Sequence, residues 1–115
     1  MIVGHAAEIE GQPLSGAGIE KVVKRLLVGP DEGWRGWALR LFELEPGGHT
    51  PRHRHPWPHI DYLTQGRGTL HLDGVDHALE DGSFAYVPAG ATHQFAGSGD
   101  GTLAFLCIVP EEGER

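Results

Sequence analysis

A chain of 115 residues suggests one domain and is long enough to bury a core without disulfide or metal staples. Sixteen acidic residues against nine basic ones give a net charge of -7, and no basic run exceeds Lys24-Arg25, so nucleic acid is not an expected partner. Cys107 is the single cysteine, which rules out an internal disulfide, and no stretch approaches the ~20 apolar residues of a membrane span. The opening residues 1–8 lack a basic start and a signal-length apolar run, so a soluble cytoplasmic protein is expected.

Residues 1–18 are Gly-rich and weakly patterned. They are expected to form an N-terminal arm lying on the domain or exchanged with a partner subunit. Residues 19–28 read two ways. Ile19, Val22, Val23 and Leu26 have helical spacing, whereas their β-branching and the Gly29-Pro30 stop suit a strand. Residues 37–45 alternate, with Arg40, Phe42 and Leu44 on one face, and Pro46-Gly47-Gly48 is expected to end that strand. A further strand begins at His59 and turns at residues 65–68. Residues 69–72 and 75–78 flank Asp73-Gly74, a strong two-residue hairpin signal, which sets His71 opposite Asp76. Strands at 83–87, 93–95 and 103–109 follow, and the tail 111–115 is expected to be solvated. Short strands at this spacing indicate an all-β sandwich or barrel spanning residues 19–110.

Four histidines carry the chemical signal. His53, His55 and His59 fall within residues 51–59, and His93 follows the Pro88-Ala89-Gly90 turn. Imidazole is the commonest transition-metal ligand. On a strand, residues i and i+2 share a face about 7 Å apart, so His53 and His55 can converge on one ion. Pro56-Trp57-Pro58 can turn the chain and return His59. His5, His49, His71 and His77 are assigned no function. With one cysteine, a Cys-rich structural zinc site is excluded. Donor chemistry alone leaves Zn, Fe, Ni and Cu open as well as Mn.

The pattern resembles the cupin family over most of the chain. Gly47, His53, His55, position 59 and Gly66 keep the spacing of the first cupin motif, and Gly82, Pro88, Gly90 and His93 keep that of the second. Two positions depart. His59 replaces the motif's acid, and Gly97 replaces its final Asn. The first departure makes the site similar to the small single-domain cupins with a four-histidine manganese centre. Residues 39–48, 52–57 and 105–110 resemble the same subgroup.

The resemblance implies a single jelly-roll β-barrel, a strand over 19–28, a homodimer, and one divalent ion held by His53, His55, His59 and His93. It makes manganese the first choice of metal. Four neutral imidazoles leave the ion more positive than a site with a carboxylate would, and a stronger Lewis acid. Arg40 is implied to face the metal cavity, where it can hold an oxyanion. Cys107 is a weaker catalytic candidate, with core packing as the bland alternative. Phe42, Thr50, Phe95 and Phe105 are the candidate substrate-binding residues. Trp34, Trp37 and Trp57 read as packing or dimer contacts. The function expected is a metal-dependent oxidoreductase of dioxygenase type acting on a small oxygen-donor substrate. The alternatives are a metal-containing binding or sensor domain and, less favoured, a metal-free sugar isomerase or epimerase.

Overall fold

In the computed structural model, which describes residues 1–114, the chain forms nine strands, one short α-helix and two single 3-10 turns at Ala6–Glu8 and Pro30–Glu32. The strands are β1 (Gln12–Leu14), β2 (Glu20–Val28), β3 (Trp37–His49), β4 (His59–Gln65), β5 (Gly68–Leu72), β6 (Val75–Leu79), β7 (Phe84–Val87), β8 (His93–Gly97) and β9 (Leu103–Pro110). The helix α1 (Glu111–Glu114) closes the described chain. The main path of the sheet runs β6-β5-β8-β3-β9-β4-β7, and β2 joins β3 with β1 outside it. All pairs are antiparallel. The sheet curls around an apolar interior, giving the all-β barrel that the spacing and the resemblance implied. No helix among the described residues is long and apolar enough to cross a membrane.

Alternation builds the interior. Leu44, Leu63, Leu70, Val87, Phe95, Leu103 and Phe105 are all buried in one cluster. Ala38, Cys107 and Val109 form a second, with Leu26, Phe42 and Trp57 packed on it. Truncating a core leucine such as Leu63 to alanine is expected to cost roughly 2–5 kcal/mol.

Residues 20–28 are a strand, not the helix their spacing permits. β2 pairs β1 on one side and β3 on the other, so its backbone groups are satisfied laterally. Val22 faces the main core while Arg25, on the opposite face, pairs with Glu43 at 2.7 Å and donates to the carbonyl of Ile9. In this chain the arm therefore lies on its own barrel at residues 12–14.

β3 also runs past Pro46-Gly47-Gly48, where the sequence suggested a stop. The register jumps from Val22↔Leu44 to Glu20↔His49, a bulge that absorbs the extra residues. Gly47 takes φ 81° there, and a Cβ on Gly48 would sit 2.8 Å from the Glu45 carbonyl oxygen. The bulge carries β3 on to pair with β8 at His49↔Ala96. The Asp73-Gly74 turn forms as expected, with φ 46° and 86°, and His71 meets Asp76 at 2.8 Å.

Residues 111–114 of the tail pack on the barrel rather than extending into solvent, and residue 115 lies outside the described residues. α1 docks on the barrel through a bond from the Glu111 amide to the Gly36 carbonyl at 2.8 Å, and Gly113 and Glu114 line the cavity described next.

Candidate metal centre

The four histidines arrive from three directions. His53 is bridged to His93 through its backbone, its amide donating to the His93 carbonyl at 3.1 Å and its carbonyl accepting from the His93 amide at 2.9 Å. The Pro88-Ala89-Gly90 turn secures the neighbouring segment, since the Gly90 amide donates to the His55 carbonyl at 2.9 Å. His59 opens β4. The imidazole centroids lie 4.8 Å apart for His53–His93, His55–His93 and His59–His93, and 5.3 Å apart for His53–His55 and His55–His59. His59 and His93 are buried, His55 is half-buried and His53 is exposed.

Hydrogen bonds on the outer sides of the rings set their orientation. Nδ1 of His55 faces the Trp57 carbonyl at 2.8 Å, and Nδ1 of His93 faces the Ala91 carbonyl at 2.9 Å. A carbonyl only accepts, so both Nδ1 atoms carry the proton and both Nε2 atoms keep a lone pair. Nδ1 of His59 faces Oδ2 of Asp61 at 2.6 Å, with the same consequence. The Nε2 atoms of His59 and His93 then stand 3.2 Å apart. Two lone pairs at that distance repel unless a cation lies between them. For metal–nitrogen bonds of about 2.1 Å, ligands at right angles are separated by ~3.0 Å and ligands at a tetrahedral angle by ~3.4 Å. The donor set fits a divalent transition ion. His53, His55 and His93 have ring nitrogens within 4.8 Å of one another, whereas His59 groups with Asp61 and Cys107 and joins the first set through its contact with His93.

Charge is disfavoured on His53, His55 and His93. Burial, assisted by the neighbouring imidazoles, lowers the pKa of His93 to about 4, although the Ala91 carbonyl opposes the shift. Burial is also the main cause lowering His53 and His55. Neutral imidazole is the ligating form.

The cavity beside the rings has a volume of about 290 Å³. Every candidate residue from the sequence lines it: Arg40, Phe42, Thr50, Phe95, Phe105 and Cys107. Thr50 Oγ1 accepts from the Phe95 amide at 2.9 Å, which ties this part of the cavity lining to β8. Phe105 stacks on Phe42 and Phe95, with centroids 5.3 and 4.1 Å away. Arg40 lies over the Phe42 ring at 4.8 Å, and its Nη2 is 3.1 Å from Cys107 Sγ. Burial, then the Asp61 charge, pushes the Cys107 thiol up to about 12 against the pull of Arg40. A thiol so placed stays protonated at neutral pH, which suits packing and hydrogen bonding rather than nucleophilic attack.

Four further residues belong to the site. Trp57 stacks on His55 with centroids 4.8 Å apart and planes 11° from parallel. Asp61 orients His59. The i, i+2 rule that linked His53 to His55 also places Asp61 on the face of His59, a usable signal. Lys24 and Glu114, 2.7 Å apart across the cavity, have no local sequence signature.

Residues 40–109 match the family described as Cupin_2, cupin domain. The chain belongs to the cupin family. Among curated relatives, this cupin is 34% identical over 77 residues to a 1-methylthio-D-xylulose 5-phosphate methylsulfurylase of Rhodospirillum rubrum, covering 67% of this chain and 49% of that protein. It is 32% identical over 94 residues to the dimethylsulfoniopropionate lyase DddW of Ruegeria pomeroyi, covering 77% of this chain and 61% of that one. It therefore spans half to three-fifths of those relatives. Among solved structures, the polyketide cyclase RemF of Streptomyces resistomycificus superposes with a TM-score of 0.90 at 27% identity, covering 96% of this chain and 80% of that one.

Proposed function

We propose that this cupin is a metal-dependent enzyme acting on a small organic substrate that presents an oxygen donor. The observation that carries the reading is the inward convergence of imidazole nitrogens whose outer nitrogens are already committed. His53, His55, His59 and His93 would hold the ion, with manganese first and zinc, iron, nickel and copper as competitors. When bound, the ion supplies Lewis acidity toward a substrate oxygen. The chain's own residues do the rest. Asp61 and the Trp57 and Ala91 carbonyls fix the ring tautomers. Phe42, Phe95 and Phe105 exclude water from one wall, and Arg40 orients an anionic group.

Two reaction classes fit this arrangement. Proton transfer or elimination next to a polarised oxygen is favoured by the likeness to a lyase and a cyclase. The dioxygenase chemistry expected from the sequence is the second reading, supported by the all-nitrogen donor set and the apolar aromatic wall. The test is metal analysis of protein purified without added metal, followed by a substrate screen under air and under argon. Turnover equal in both atmospheres supports the first class, and turnover with oxygen uptake supports the second. No turnover with manganese, iron, nickel, copper or zinc across diketones, enols, phenols and sulfonium or thioether acids would leave a binding or sensor domain.

The enzyme is also proposed to work as a homodimer. Ile60 and Tyr62 of β4 and Phe84 and Tyr86 of β7 are all at least half exposed on the outer face. They pair across the ladder as Ile60↔Tyr86 and Tyr62↔Phe84, so they form one contiguous apolar surface at the sheet edge.

A further inference from the structure

Lys24 and Arg40 point into the same concave face, because Lys24 pairs with Phe42, and Leu26 with Arg40, across the β2–β3 ladder. Their side chains are only 14% and 12% exposed. Two cations held this far from water need an anion. The carboxylate in contact with both is the chain's own. Glu114 lies 2.7 Å from Lys24 Nζ and 3.5 Å from Arg40 Nη1. The first contact has the ~2.7–2.9 Å length of a strong charge-assisted bond, and the second is well beyond it. Arg40 Nε is buried with no hydrogen-bond partner among the described residues. Glu114 thus satisfies Lys24 and leaves Arg40 under-used.

The segment that brings Glu114 here is short and closely seated. α1 is a single turn of four residues, too short to be stable by itself. It lies close because residue 113 is glycine. A Cβ at that position would come 2.6 Å from Trp57 Nε1, on the ring that stacks against His55.

We propose that Lys24 and Arg40 form a carboxylate-binding subsite beside the metal centre, that Glu114 fills it in the free protein, and that a substrate carboxylate displaces Glu114. The inference deepens the proposed function and rests on it only in taking this cavity as the substrate site. Exchanging one carboxylate for another preserves the charge balance, so displacement costs little beyond undocking one helical turn. A ligand whose two oxygens reach Arg40 Nε as well as Lys24 gains what Glu114 forgoes. The wall of Phe42, Phe95 and Phe105 selects a compact, apolar or aromatic body on that carboxylate.

Calorimetric titration of the full chain with benzoate, and with benzyl alcohol as its neutral counterpart, tests this with and without Mn²⁺. Glu114→Gln removes the competing charge without changing shape, and Gly113→Val unseats the turn without touching any charge. Each is expected to tighten benzoate about fivefold relative to any gain for benzyl alcohol. Lys24→Gln is expected to weaken benzoate about tenfold and erase its preference over the alcohol. Far-UV circular dichroism checks that each variant is folded, and Glu114→Gln, being isosteric, carries the test if Gly113→Val is not. Equal gains for both ligands would show an apolar lid with no anion subsite and overturn the proposal, as would no gain for benzoate in the tail variants. The ordering is read in chelator-treated protein too, so a failure to bind metal sinks the proposed function and leaves this result standing by itself.

Discussion

Nδ1 of His59 lies 2.6 Å from Oδ2 of Asp61, a shorter contact than those of His55 and His93 with their carbonyls at 2.8 and 2.9 Å. Asp61 is fully buried, and its second oxygen has no hydrogen-bond partner among the described residues. A buried carboxylate on the outer nitrogen fixes the tautomer and raises the basicity of the inner one.

Asp61→Asn keeps an oxygen that can accept from Nδ1 but removes the charge. Metal affinity is expected to fall by about 10–100-fold, the usual scale for such a partner. Competition against a chelator of known affinity measures it. An unchanged affinity would remove Asp61 from the metal centre and leave it a packing residue.

Acid sensitivity follows from the depressed imidazoles. His93 titrates near 4 in the fold against 6.5 ordinarily, so between those values the unfolded chain binds more protons. Stability of the metal-free protein therefore rises with pH across this window. The contribution is complete above about 6.5, is lost as pH falls to about 4, and is on the order of 3 kcal/mol at most. His53 and His55 act in the same direction. Thermal melts of chelator-treated protein from pH 7 to pH 4 should show the midpoint falling. A flat profile would mean that the rings are free to protonate in the fold.

Cys107 gives an independent check on the interior. With its thiol pushed up to about 12 and the side chain buried, alkylation by iodoacetamide at pH 8 should be slower than for a free thiol by at least about a hundredfold. Cys107→Ala should preserve any turnover within about threefold while costing roughly 1–2 kcal/mol of stability. Abolished turnover in a folded Cys107→Ala protein would restore the thiol as a catalytic candidate.

The histidine cluster was readable because its logic is local. His53 and His55 share a strand face by period, and the motif spacing around Pro88 and Gly90 placed His93. The Asp73-Gly74 hairpin was readable for the same reason. β2 was ambiguous because Val22 and Leu26, four apart, satisfy the helical spacing and the strand period together. The residue that broke the strand pattern is Lys24, which faces inward because Glu114 neutralises it. That partner lies 90 residues away, and no local signal connects them. The run of β3 through Pro46 was hidden because the bulge depends on the register with β2. Periodicity reads which face a residue takes, whereas long-range pairs and bulges are set by the closed sheet.

The outer face of β4 and β7 carries the last prediction. Phe84 is 79% exposed and Tyr86 61%, and both stand on the terminal strand of the main sheet path. Aromatic side chains at this exposure on an edge invite association, and a two-fold pairing would bury the same patch from both copies. Light scattering at micromolar concentration is expected to give twice the chain mass. Phe84→Glu places two like charges across the two-fold axis, desolvates both on association, and touches no residue of the metal cavity. It is expected to shift the protein to monomer while metal affinity stays within about twofold. A wild-type monomer would overturn the dimer, and a Phe84→Glu protein that stays dimeric would move the interface elsewhere, with exchange of the N-terminal arm as the remaining arrangement. A monomeric variant with intact metal binding would show that each cavity is complete within one chain, as the enclosure of His53, His55, His59 and His93 by a single barrel leads one to expect.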